Sequence, residues 1–156
     1  MRVIARGATP ADVPAMARLR WRWRVDERGA LGGAATRRDE AEFVAFFTAW
    51  VTDHLATHAP FVVEVDGEVC GMAWLMTADR VPAPELTDRR TGDVQAVYVA
   101  PARRDAGVGA VLIDAVLAEA GRRGLEHVTV HSSPRAVPFY RRAGFAESDT
   151  WLDWRP

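Results

Sequence analysis

The sequence is poor in cysteine and lacks two residue types altogether. Its 156 residues include one cysteine, Cys70, and neither lysine nor asparagine. A single cysteine excludes the intramolecular disulfide framework that holds many small secreted domains together. The exclusive use of arginine beside the absence of asparagine is typical of a GC-rich bacterial genome. We therefore expect a cytoplasmic bacterial protein.

Long apolar segments are also missing. No apolar run approaches the roughly 20 residues that a helix needs to span a bilayer. Near the N-terminus, Arg2 and Arg6 interrupt the short apolar stretch, which excludes the hydrophobic region of a secretory signal. The sequence therefore predicts no membrane partner.

Neither sign of charge dominates. Twenty basic and twenty-one acidic side chains give a formal net charge of −1 at pH 7, which argues against a general binder of nucleic acids or membrane surfaces. The composition, with 49% hydrophobic and 26% charged residues, is that of a folded globular protein. A chain of this length buries roughly 69% of its extended surface on folding. We predict a single domain over residues 1–156.

Periodicity and turn signals predict alternating strands and helices in the order β-α-α-β-β-β-α-β-α-β. Asp66-Gly67 is a typical tight hairpin turn. The predicted segments are a strand over 2–9, a helix from about 10 through 25, a helix over 37–58, strands over 61–65, 69–76 and 93–99, a helix over 107–121, a strand over 127–131, a short helix over 134–143 and a final strand over 150–154. The fold class is α/β, with a mixed, mainly antiparallel sheet flanked by helices.

A glycine-containing segment after the strand over 93–99 carries the clearest functional signal. Arg104, Gly107 and Gly109 form an RxxGxG pattern at the start of the next helix. Unpaired amides at a helix start attract anions, and glycine lets a phosphate approach them closely. The alternative is that both glycines only permit close packing. A P-loop pattern is absent, and the segment lacks the third glycine of a dinucleotide fingerprint.

These residues resemble the acetyl-CoA motif of the GNAT superfamily of N-acetyltransferases, which is a strand followed by Q/RxxGxG/A at a helix start. A second similarity lies at 136–145, where Phe139 and Tyr140 precede a Gly144-Phe145 pair, as in the family's short helix. The order of predicted elements resembles that of the family over essentially the whole chain.

The resemblance implies roles for individual residues. Backbone groups of Val97, Tyr98 and Val99 would bind the pantetheine arm of acetyl-CoA, between two strands that separate. Tyr140 would protonate the leaving thiolate; the alternative is an aromatic ring that only packs in the core. The amides expected to hold the pyrophosphate are those of Arg104, Asp105, Ala106, Gly107, Val108, Gly109 and Ala110.

The sequence departs from the family at the expected base. Many relatives have glutamate where this chain has Gln95, which cannot accept a proton from an ammonium group. His131 is the first replacement by position and by ordinary pKa range, followed by Asp93 and Glu64. The family's asparagine before the second motif is also absent, so Ser133 would either bind CoA through its hydroxyl or cap a helix.

Other features have ordinary structural interpretations. His54 and His58 lack a third ligand, so we predict no metal site. The run of alternating arginines over 18–24, with two tryptophans, is typical of a half-buried helix, although it also resembles an RNA-binding pattern. Cys70 is expected to be a buried apolar residue.

The sequence thus predicts an enzyme that transfers the acetyl group of acetyl-CoA, its co-substrate, to a primary amine of a small molecule or peptide. The alternatives are a CoA-binding sensor or interaction module without catalysis and, third, an RNA-associated module. The resemblance also implies a homodimer. Two irregular segments, 25–36 and 79–92, are expected to shape the mouth of the acceptor site.

Overall fold

The computed structural model describes residues 1–27 and 39–156, and its elements follow the predicted order as far as the fourth helix. A 3-10 turn precedes α1, and a π-helical turn over Arg22–Glu27 extends it. The elements are β1 (Val3–Gly7), α1 (Val13–Trp21), α2 (Glu40–His54), β2 (His58–Val65), β3 (Glu68–Asp79), β4 (Arg90–Val99), α3 (Val108–Arg122), β5 (Val128–Val130) and α4 (Val137–Arg142). No helix in these two ranges is long and apolar enough to cross a membrane.

The five strands form one sheet in the order β1-β2-β3-β4-β5. The first four are antiparallel to their neighbours, and β5 alone runs parallel to β4. Both residues of the turn between β2 and β3, Asp66 and Gly67, have positive φ, of 52° and 86°, as the commonest two-residue hairpin turn requires. The predicted mixed, mainly antiparallel sheet is confirmed.

Each face of the sheet buries a separate apolar cluster. On one face, α3 contributes Val108, Leu112, Ile113 and Val116, which pack with Tyr140 of α4. On the other face, α1 and α2 pack over residues of the central strands. Those strand residues are Val62, Met72, Trp74 and Tyr98. This two-sided packing follows from the alternation of side chains along each strand.

Several predicted segments differ from the structure. The segment 79–92, which was expected to be irregular, begins with the last residue of β3 and ends with the first three residues of β4. The second helix ends at His54, and residues 58–60, which were expected to close it, belong to β2 and pair with β3 as far as His58 and Met76. The strand predicted over 150–154 does not form, and residues 146–156 contain no helix or strand. An alternating pattern specifies which side chains share a face, but a strand also needs a partner for its backbone groups. Of the irregular segment predicted at 25–36, residues 25–27 belong to the π-helical turn, and the others lie outside the described residues.

A buried carboxylate joins the start of the chain to the sheet. The guanidinium of Arg6 donates two hydrogen bonds to Asp12, at 2.7 and 3.0 Å, and a third to Glu64. Asp12 also accepts from the backbone nitrogen and hydroxyl of Thr9, at 2.7 and 2.8 Å. The hydrogen bonds from Arg6 hold the pKa of Asp12 well below its usual range. Glu64, a candidate base from the sequence, is engaged by this arginine.

We predict that Asp12→Asn lowers the free energy of unfolding by about 2 kcal/mol at pH 7, because it removes charge-assisted hydrogen bonds. A carboxyl with a depressed folded-state pKa stabilises the protein above its unfolded pKa of about 3.9, and that stabilisation is lost as the pH falls. Urea unfolding should therefore show the difference between variant and wild type shrinking from pH 7 towards pH 2. Asp114→Asn, on the exposed side of α3, is the control and should change little. A difference that does not depend on pH would contradict the prediction.

Candidate functional site

The sheet opens where β5 stops pairing with β4. Their last pair is Val94 with Val130, and β4 continues to Val99 with β3 as its neighbour on the other side. The predicted separation of these two strands is therefore confirmed. Beyond Val94, the β5-facing edge of β4 has no strand partner within the described residues. Unpaired strand edges of this kind are sites where another chain or an extended ligand can add hydrogen bonds.

A β-bulge lies at the same place in β4. The register with β3 shifts between Met72 and Trp74, and Ala96 has a φ of 49°, which is uncommon for a residue other than glycine. Gln95 and Tyr98 lie three positions apart, so in a regular strand their side chains would face opposite sides of the sheet. The extra residue of the bulge places both on the side of α1 and α2. Gln95 pairs with Trp74 on the α1–α2 face. Backbone strain of this kind is often found at functional sites.

The segment between β4 and α3 presents a row of backbone donors. In the described part of the chain, no carbonyl or side chain accepts a hydrogen bond from the amides of residues 105–109. Asp105 and Gly107 both have positive φ, of 60° and 76°, and such alternation of the backbone creates concave anion-binding nests. The outer two amides of the predicted set are used internally: Arg104 donates to Pro101 and Ala110 donates to Gly107.

The two glycines of the motif serve different purposes. Gly107 precedes the first residue of α3 in a left-handed conformation, and a Cβ there would meet no atom within 4 Å. Its role is therefore conformational, and the space beside it is open. A Cβ on Gly109 would lie 3.3 Å from the ring of Phe139 in α4, so this glycine allows close packing. The packing interpretation is therefore confirmed for Gly109, and the anion-binding interpretation stays a prediction for Gly107.

Arg104 folds back onto the end of β4. Its Nε donates to the carbonyl of Val99 at 2.8 Å, and its guanidinium lies 5.4 Å from the centre of the Tyr98 ring. The side chain is exposed. It therefore borders both the row of amides and the unpaired end of the strand, where its charge favours an anion.

Tyr140 is held in an aromatic environment on α4. Phe139 and Phe145 contact its ring edge-on, at centroid distances of 5.0 and 5.5 Å. Burial raises the pKa of Tyr140 to about 12, so the phenol stays protonated at neutral pH. Its hydroxyl makes no hydrogen bond within the described residues, which contain no buried side-chain oxygen without a partner. The Oη atom is therefore not completely buried, and its proton is not engaged by another group of the described residues.

A chain of three polar side chains lies on the α1–α2 face beside the opening. Asp93 accepts from Nε2 of Gln95 at 2.9 Å and from Oγ1 of Thr129 at 2.8 Å. Asp93 and Gln95 are separate candidates from the sequence, and Thr129 is not among the candidates. Only the register between β4 and β5 brings Thr129 opposite Asp93, and no motif in the sequence signals that register.

His131 follows directly after β5, at the opening. Its Nε2 lies 2.9 Å from a guanidinium nitrogen of Arg155. Because arginine can only donate, this nitrogen of His131 is the acceptor and the ring proton is on Nδ1. Ser133 lies two residues further on and precedes a 3-10 turn over Pro134–Ala136. Its hydroxyl is exposed and makes no capping hydrogen bond.

Several aromatic residues of the first two helices pack inside the protein, whereas Phe46 of α2 is exposed. Trp23 stacks on Tyr98 at 5.5 Å, and Phe47 and Trp50 each contact Trp74 edge-on at 5.9 Å. The guanidinium of Arg20 lies 4.8 Å from the Trp23 ring. The predicted half-buried helix is thus confirmed, with its tryptophans engaged in intramolecular contacts.

The remaining candidates have structural partners. His54 donates from Nδ1 to the carbonyl of Trp50 at 2.7 Å, and His58 lies on β2 rather than one turn further along the same helix. Among the described residues there is no group of three or more potential metal ligands. Cys70 is buried, as predicted, and burial raises the pKa of its thiol.

Comparisons with known proteins agree with this geometry. The model of the acetyltransferase (GNAT) family matches residues 14–145. A predicted acetyltransferase with acetyl-CoA from Clostridium acetobutylicum is 21% identical, with a TM-score of 0.73, over 99% of this chain and 96% of that one. A GCN5-related N-acetyltransferase from Ralstonia eutropha is 24% identical, with a TM-score of 0.70, over 99% of both chains.

Glucosamine-6-phosphate N-acetyltransferase from Arabidopsis thaliana is similar at 14% identity and a TM-score of 0.70, over 99% of both chains. At these identities the solved structures establish the fold. No curated protein matches the sequence.

The buried phenol of Tyr140 predicts a loss of stability at high pH. The unfolded chain ionises its tyrosines near pH 10, whereas folded Tyr140 ionises at about 12. Between these values the unfolded state binds fewer protons, so stability falls as pH rises, by roughly 1 kcal/mol per pH unit. Urea unfolding at pH 8 to 11 should show a steeper decline for the wild type than for Tyr140→Phe. Parallel profiles would show that burial does not perturb this phenol.

Proposed function

Because this chain belongs to the acetyltransferase (GNAT) family, we propose that it transfers the acetyl group of acetyl-CoA to a primary amine. The observation that supports this most directly is the opening between β4 and β5, with the unpaired amides of residues 105–109 at its end. The strand edge at the opening offers hydrogen bonds to an extended chain, and the amides offer them to a phosphate. Acetyl-CoA combines both chemical groups.

The residues present fit this co-substrate. The backbone amides of Asp105, Ala106, Gly107, Val108 and Gly109 would hold the pyrophosphate. Arg104 would add a full positive charge beside them, while Ala110 stabilises the turn through its bond to the Gly107 carbonyl. The unpaired edge of β4 at Val97, Tyr98 and Val99 would bind the pantetheine arm, and the exposed hydroxyl of Ser133 is a further donor on the opposite side of the opening.

The proposed reaction forms one bond and breaks one. An acceptor ammonium loses one proton before its nitrogen bonds to the acetyl carbon, and the nitrogen loses a second proton as the carbon–sulfur bond breaks and the sulfur gains one. The products are an N-substituted acetamide, free CoA thiol and one proton. Tyr140 would donate its hydroxyl proton to the departing sulfur and recover one from solvent, because its phenol is neutral at physiological pH and its Oη is not completely buried.

His131 is the proposed base. It lies at the opening, and its neutral ring has an acceptor nitrogen, which Arg155 now occupies. The Arg155 side chain is 70% exposed, so its displacement by an acceptor amine disturbs no packed core. The Nε2 atom of His131 would then accept the ammonium proton and pass it to solvent.

Blocking the row of amides should remove acetyl-CoA binding. Gly107→Trp places a large side chain in the open space beside the amides, and we expect at least tenfold weaker binding in calorimetric titration with acetyl-CoA and CoA. Gly124→Trp is the matched control, since Gly124 also has positive φ, of 64°, with open space around it. Both variants carry the same backbone strain, but Gly124 lies at the other end of α3. Equal binding by the two variants would contradict the proposed pyrophosphate site.

Tyr140→Phe separates an enzyme from a CoA-binding sensor. For the enzyme, loss of the general acid should lower kcat roughly 10²- to 10⁴-fold while the Kd for acetyl-CoA stays unchanged. Thiol release from acetyl-CoA with a panel of primary amines measures the rate. Unaltered kcat in the variant would exclude Tyr140 as the acid. Tight binding of acetyl-CoA by the wild type without thiol release for any amine would instead favour the sensor.

A further inference from the structure

The hydrogen-bonded chain of Thr129, Asp93 and Gln95 fixes the direction of the Gln95 amide. A carboxylate can only accept hydrogen bonds, so the Gln95 group that faces Asp93 must be the NH₂ of Nε2. Thr129 holds the other carboxylate oxygen from β5. The carboxylate therefore cannot rotate without breaking one of the two bonds, and the carbonyl oxygen of Gln95 points away from it.

That carbonyl oxygen is available to a ligand. Oε1 of Gln95 makes no hydrogen bond within the described residues, and none of their buried side-chain oxygens lacks a partner. Oε1 is therefore not completely buried, on a residue that is itself partly exposed. It has two lone pairs and no proton, so it accepts hydrogen bonds and repels anions.

Gln95 lies at the point where the two strands separate. The parallel register pairs Asp93 with Thr129 and Val94 with Val130. Continued by one residue, it would place Gln95 opposite His131, which is the first position where no pair forms. His131 is the first residue after β5, and a continuation of the strand alternation would place it on the same side of the sheet as Thr129. Gln95 and the proposed base thus flank the opening on one face.

Asp93 supplies a negative charge behind the amide. Both of its hydrogen bonds come from neutral donors, and it forms no ion pair with any arginine or histidine of the described ranges. It is also only partly exposed. A carboxylate so placed attracts a cation at the opening and repels a second carboxylate.

We propose that Oε1 of Gln95 binds an N–H of the acceptor, with Asp93 and Thr129 as positioning residues, and that the acceptor is a primary ammonium without a carboxylate on the same carbon. This inference rests on the proposed function and narrows its acceptor class. An alkyl or aralkyl amine, or the side chain of a lysine in a peptide, meets the requirement. A free α-amino acid does not, because its carboxylate would lie close to Asp93 and Oε1.

The binding test uses three probes of the same length. Pentylammonium has the required charge, norleucine adds a carboxylate to the same carbon, and pentan-1-ol lacks the charge. Each is titrated into the ¹⁵N-labelled protein, with and without saturating CoA, while the side-chain amide of Gln95 is followed by NMR. Gln95→Leu identifies the signal by its disappearance.

Pentylammonium should shift the Gln95 amide saturably and bind roughly ten- to a hundredfold more tightly than the other two probes, as a charge-assisted hydrogen bond would. Asp93→Asn keeps the shape of the side chain and one acceptor oxygen but removes the negative charge. The ratio between the affinity for pentylammonium and the affinities for the other two probes should therefore fall to near unity. Thr129→Val should weaken pentylammonium binding severalfold, and Thr129→Ser should restore it. General damage to the fold would lower the affinity for all three probes together and leave their ratio unchanged.

Equal binding of pentylammonium and norleucine, or an unchanged preference in Asp93→Asn, would overturn the inference. So would the absence of a saturable shift at Gln95. Because the titration needs no turnover, its result is independent of the transferase reaction. Selective ammonium binding without thiol release in any assay would refute the proposed function alone. Thiol release with norleucine as readily as with pentylamine would refute the acceptor class and leave the acetyl transfer standing.

Discussion

The end of hydrogen bonding between β4 and β5 is the constraint on which the rest of the site depends. Backbone groups inside a protein need partners, yet β4 continues to Val99 after its last pair with β5 at Val94. The bulge at Ala96 adds strain at the same place. Among the described residues no strand pairs with this part of the edge, and the Val99 carbonyl accepts a hydrogen bond from Arg104. A ligand with the hydrogen-bonding pattern of an extended chain can complete it.

In the proposed reaction, one face of the sheet would bind the acetyl donor and the other would bind the amine. The α3–α4 face carries the row of amides at 105–109 and the buried phenol of Tyr140. The opposite face carries Gln95 and Asp93, beneath α1 and α2. The opening joins the faces, so the acetyl donor and the amine would meet there from opposite sides.

Much of the fold was predictable because local signals agree with it. The Asp66-Gly67 turn, the apolar stripe of α3 and the glycine segment before it all specify their structure within a few residues. The failures also have local causes. Residues 58–60 join β2 because β3 offers backbone partners as far as Met76, which the proline signal could not reveal. The segment over 150–154 alternates like a strand but has no partner strand in the described structure.

The order of elements as far as α4, the position of the glycine segment and the choice of Tyr140 as candidate acid all follow from neighbouring residues or from a motif. The tertiary structure alone decided which role each glycine has, since Gly109 faces Phe139, thirty positions away in the chain. It also decided that Arg6 engages Glu64, that Arg155 covers His131, and that Thr129 and Asp93 orient Gln95. These contacts depend on the strand register and on how segments distant in the sequence pack together, and no local sequence pattern specifies either.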